Sequence, residues 1–282
     1  MEQLLDRPEI QSAVIPFIVG LAVAAGLRKI TRGAWIWALF AAFLCSALLI
    51  NGTTLMPLTG TRKIILLVLG ACLVGGLGAF VLRTTNLQRQ AATGLVIISV
   101  LWIFWTVMER REATAAAIFV AGAVALNLFT AWGLDLCRKH EARLHGAGFG
   151  LLLGTGLCAA LGSSALLGQL GLALAAGCGG LFLAWVLLPG QTGGELIHGR
   201  PLAILPYLMP AVTIGLAAVI FARLPWYALA PLAAIPLATS LVPYQSESRF
   251  MNALVSSLPG LIITGATAFW VWQAGSSSAS GY

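Results

Sequence analysis

Apolar runs long enough to cross a bilayer alternate with short polar breaks along almost the whole chain. A helix rises about 1.5 Å per residue, and ~20 apolar residues span the hydrocarbon core. The pattern therefore predicts about ten transmembrane helices, near 13–27, 34–50, 64–82, 93–108, 115–136, 147–162, 165–188, 202–221, 226–242 and 253–272. The fold class is all-α: a polytopic integral membrane bundle. Residues 1–275 read as one transmembrane domain, and 276–282 as a disordered tail.

The longest charge-free stretch contains the apolar run from Gly146 to Leu188. It predicts a Gly-rich helical hairpin broken near Gly162-Ser163-Ser164. Gly146, Gly150 and Gly154 recur every fourth residue, as do Gly171, Ala175 and Gly179. Spacing of four aligns small residues on one face, where two backbones can approach closely. Farther on, Pro206 and Pro210 fall in the eighth predicted span, and Pro231 and Pro236 in the ninth. Proline inside a helix removes a donor and frees a carbonyl, so these two spans are expected to be kinked.

Polar side chains inside apolar runs are the natural place to look for chemistry, because burying them in lipid is costly. The fifth predicted span carries the clearest stripe, Asn127, Ala131 and Asp135 at intervals of four. Gln169 is the one side-chain amide in the hairpin. Asn127, Asp135 and Gln169 are therefore the substrate-binding candidates. A structural reading stands beside this one: Asp135 pairs with Arg138 and Lys139, while the two amides bond neighbouring helices.

Composition agrees with the pattern. Charged residues make up 9% of the chain, against about 25% in a soluble domain. The net charge of +7 does not indicate nucleic-acid binding. Lys and Arg sit between the spans, ten on the loops after odd-numbered spans and six elsewhere. By the positive-inside rule that bias puts the first set in the cytoplasm and both termini outside, here a bacterial inner membrane with periplasmic termini. The amino terminus mixes acidic and basic residues and lacks a small-x-small cleavage site, so the first span is expected to remain.

No pattern for a cofactor or metal emerges. Four of the five cysteines fall in apolar runs and none forms a CxxC. Cys137, His140 and His145 have a ligand-like spacing without a fourth partner. Glu195 and His198 sit at i and i+3 in a Gly-rich loop, a weak acid–base signal. Three function classes follow: a transporter or permease for a small solute or lipid-like molecule, a structural or accessory membrane subunit, or a lipid-modifying enzyme. Transport leads, and no catalytic residues are assigned. The expected partners are membrane lipids, other membrane subunits or a second copy of the chain.

Overall fold

The computed structural model describes residues 7–27, 34–52, 56–82, 84–109, 112–162, 164–188, 200–221, 224–243 and 248–279. Among them are ten α-helices and no strand. These are α1 (Ile15–Leu27), α2 (Ala34–Asn51), α3 (Gly60–Val81), α4 (Thr85–Met108), α5 (Ala113–Cys137), α6 (Glu141–Leu161), α7 (Ala165–Leu187), α8 (Leu205–Phe221), α9 (Leu229–Ser240) and α10 (Arg249–Ala279). Eight helical stretches are long and apolar enough to cross a membrane, and two shorter apolar helices lie at Trp35–Asn51 and Trp226–Ser240. This is the architecture of a multi-pass membrane protein. In lipid the backbone must satisfy its own hydrogen bonds, and the helix does so within each segment.

Helices α6, α7 and α8 form the buried centre, with α10, α9 and α5 also packed on α6. Small residues set the separations. Against α10, a Cβ added at Gly146 would lie 2.7 Å from the Ser256 carbonyl oxygen, and one at Gly150 would lie 2.6 Å from the Gly260 Cα. A Cβ at Gly154 would meet the Thr264 hydroxyl at 2.7 Å. Ser256, Gly260 and Thr264 repeat every four residues in step with the α6 glycines, so the two helices run parallel.

The second small-residue set divides differently from its sequence spacing. Gly171 meets Gly156 of α6, and Gly168 meets Ala160. Gly177 and Gly180 instead face α1 and α2, with a Cβ at Gly180 only 2.2 Å from the Phe17 carbonyl oxygen. Gly179 has only ordinary contacts with Phe149 and Phe17. Thus α7 offers one small face to α6 and another to α1.

Several boundaries move. Helix α4 starts at Thr85, so the polar residues before Thr93 are helical. Helix α6 starts at Glu141, which puts His145 inside a helix and not in a loop. A 3-10 turn, Pro201–Ile204, precedes α8; Pro206 then falls in the first turn, leaving Pro210 as the interior proline. In α9 the interior proline is Pro236, since Pro231 also lies in the first turn. A proline in a first turn removes no helical bond. Helix α10 holds Pro259 and continues to Ala279, into the stretch expected to be a tail.

A polar network ties one end of the bundle together. The Trp185 indole at the end of α7 donates to Glu141 at the start of α6, 2.5 Å. The Arg249 guanidinium, at the start of α10, lies 5.8 Å from the centre of the Trp185 ring. Arg143 of α6 donates to the Val242 carbonyl just after α9. This end also carries Asp135, Arg138 and Arg89.

Candidate cavity between α4, α5 and α8

Most hydroxyls inside the bundle are already occupied. Ser99, Thr130, Thr155 and Thr213 each return a hydrogen bond to the carbonyl four residues earlier. Such local bonds neutralise a hydroxyl where no water is available.

Asn127 is different. Its Nδ2 donates to the Ala123 carbonyl one turn back, 2.7 Å, and not to a neighbouring helix. Its Oδ1 is buried and meets no hydrogen-bond donor among the described residues. The residue is 1% exposed. A buried acceptor left without a donor costs about 1–3 kcal/mol.

Asn127 lines a cavity of about 480 Å³. Helix α4 contributes Arg89, Ala92, Thr93 and Val96, and α5 adds Ala131, Trp132 and Asp135. Pro201, Ile204 and Leu208 close the third side. The volume falls within the usual ~300–1,000 Å³ of small-molecule sites. Asn127 and Asp135 are eight residues apart on one helix face, or about 12 Å along the axis. Asp135 is near the end of α5 and Arg89 near the start of α4. The cavity therefore runs from a charged mouth at the polar end of the bundle to an amide about two turns inside.

The mouth is cross-linked. Arg89 donates to Asp135 Oδ2 at 3.0 Å, joining α4 to α5. Arg138, one turn beyond Asp135, holds the other carboxylate oxygen. Arg138 is nearly buried, whereas the Arg89 side chain is 53% exposed. Asp135 is thus shared by two guanidinium groups.

Of the three candidates, Asn127 and Asp135 share this cavity. Gln169 lies on α7, half-buried, and does not line it. Arg89 was missed because its segment reads as a polar loop. The helical spacing Arg89, Thr93, Val96 is the signal that would have found it. A second, smaller cavity of about 30 Å³ lies among α5, α6, α8 and α9. It has room for about one water molecule.

The remaining polar candidates do not converge. Cys137 donates to the Pro236 carbonyl at 3.1 Å, while His145 Nδ1 lies 2.6 Å from the Tyr207 hydroxyl. Trp35 stacks on Tyr207 with centroids 5.5 Å apart. His140 sits in the turn between α5 and α6. Partial burial, then Arg143 and Lys139, hold its pKa below the ordinary histidine value. Glu195 and His198 lie outside the described residues.

A scan against protein-family models finds no match to this chain, and a search of curated proteins finds no significant match.

Proposed function

We propose that the chain is a membrane permease for a small organic solute, with the cavity between α4, α5 and α8 as its binding site. One observation carries the reading: a cavity of about 480 Å³ has an ion pair at its mouth and an unpartnered amide oxygen at its inner end. Polar side chains in the wall of a cavity at membrane depth are what a solute pathway requires. A bundle whose only role is packing gains nothing from them.

The reading takes all ten helices as crossings. Helices α6 and α7 then form the rigid Gly-rich hairpin, with Pro210 and Pro236 bending α8 and α9 beside it. The basic end faces the cytoplasm, the cavity opens there, and both termini lie on the far side. In a bacterium the membrane is the inner one. No catalytic step is assigned.

Alternating access provides the test. Ala131 lines the cavity, so Ala131→Cys, combined with Cys45→Ser, offers a thiol to a membrane-impermeant maleimide. In oriented vesicles the thiol is expected to react from the cytoplasmic face, and more slowly from the opposite face as the site alternates. Labelling from one face only, under all conditions, would replace the permease reading with that of an accessory subunit.

A further inference from the structure

The cavity between α4, α5 and α8 has walls of two kinds. Its floor is buried and apolar: Ala92 and Val96 of α4, Ile204 just before α8 and Leu208 within it. Its edge is not buried. On α5 the cavity is lined by the inward row Asn127, Ala131 and Asp135, and also by the adjacent row Leu128, Trp132 and Leu136. That second row is 41, 54 and 42% exposed. On α4 the facing edge carries Thr93, which is exposed as well. Leu128 and Leu136 are eight residues apart, or about 12 Å along the helix. The cavity is therefore a groove, open sideways along about two turns and not only at its charged end. Ala113–Cys137 is the least buried of the eight membrane-length stretches, so the surface on which the groove opens faces lipid.

We infer that this groove seats an acyl chain of a membrane phospholipid, drawn sideways from the leaflet at the basic end of the bundle. Apolar walls gain dispersion contacts from an occupant that fits between them. Water is a poor occupant, because a held water needs about two to four polar partners and the four floor side chains offer none. An alkyl chain needs only contact, and the surrounding leaflet supplies it along the open edge. The inference goes beyond the permease reading and shares only its cavity. Under that reading, a solute reaches the site by displacing the chain.

The experiment uses the full chain in nanodiscs of phosphatidylcholine that carries a diazirine midway along one acyl chain. After illumination, labelled residues are mapped by peptide mass spectrometry. Ile98, exposed on α4, reports bulk lipid; Leu152, buried in α6 away from the groove, reports background. Ala92, Val96, Ile204 and Leu208 should label far above Leu152, although all four are buried. Ala131→Trp fills the groove and should lower the floor to the Leu152 level while Ile98 is unchanged. If that variant fails to fold, the wild-type contrast between the floor and Leu152 decides. Phosphatidylglycerol bearing the same label should give the same floor yields, since the groove holds the chain and not the head group. Floor labelling no higher than that of Leu152, floor labelling that persists in Ala131→Trp, or labelling confined to one head group would overturn the inference. So would protection of Trp132 and Leu136, which would mean that a second protein surface covers the edge. If the floor labels while Ala131→Cys reacts with maleimide from one face only, the lipid assignment stands and the permease reading falls. If maleimide access alternates but the floor stays unlabelled, the reverse follows.

Discussion

The Thr264 hydroxyl on α10 donates to the Gly150 carbonyl on α6 across 3.0 Å. That bond is possible only because Gly150 and Gly260 bring the two backbones together. Without a hydrophobic drive between helices in lipid, close packing and interhelical bonds hold the bundle. Gly150→Leu would force a side chain into the Gly260 backbone, at a cost of about 3 kcal/mol or more. Folded yield and melting temperature in nanodiscs should both fall sharply. Thr264→Val keeps the volume and removes one bond, costing only about 0.6 kcal/mol. Equal losses in the two variants would refute the division between packing and bonding.

The ion pair at the cavity mouth predicts an asymmetry. Arg89 is half-exposed, so Arg89→Gln should cost no more than about 1 kcal/mol, as for most surface pairs. Asp135→Asn also strips the nearly buried Arg138 of a charged acceptor. Its cost should be larger, about 1–3 kcal/mol. Melting temperatures of the two variants, measured side by side, check the order.

How much of this could be read in advance depended on contrast. Asn127 and Asp135 stand out because they interrupt an apolar run, and both line the cavity. Arg89 does not stand out: it sits among Thr85, Asn86, Gln88 and Gln90, where polarity disguises two helical turns. Likewise, four-residue spacing marked Gly146, Gly150 and Gly154 as a face. Nothing in that spacing names Ser256, Gly260 and Thr264 as the surface it meets, because pairing is settled by the whole bundle. The first-turn prolines misled for a related reason. Pro206 and Pro231 read as helix-interior residues until the 3-10 turns before α8 and α9 fix where those helices begin.

His145 and Tyr207 form a buried polar pair away from the cavity, and Gly148 makes room for it. A Cβ at Gly148 would lie 2.3 Å from the Tyr207 ring. Tyr207→Phe keeps the ring on Trp35 but removes the partner of His145 Nδ1, so a loss of about 1–3 kcal/mol is expected. Combining it with His145→Phe should recover part of that loss, since no buried nitrogen is then stranded. A strictly additive double-mutant cycle would show that the two side chains are not coupled.

His140 gives the bundle a pH dependence of known sign. Burial and the neighbouring Arg143 and Lys139 disfavour its protonated form in the folded state, so its folded pKa lies below the unfolded value. The unfolded chain therefore binds more protons as the pH falls through the ordinary histidine range, and stability drops. The contribution is complete above the unfolded pKa and is lost below it. His140 is only partly buried, so the effect should be small. Melting temperature should decline between about pH 7.5 and about pH 5.5, and His140→Gln should flatten that decline. A wild-type melting curve that rises on acidification over this window, with the rise abolished by His140→Gln, would reverse the assigned sign.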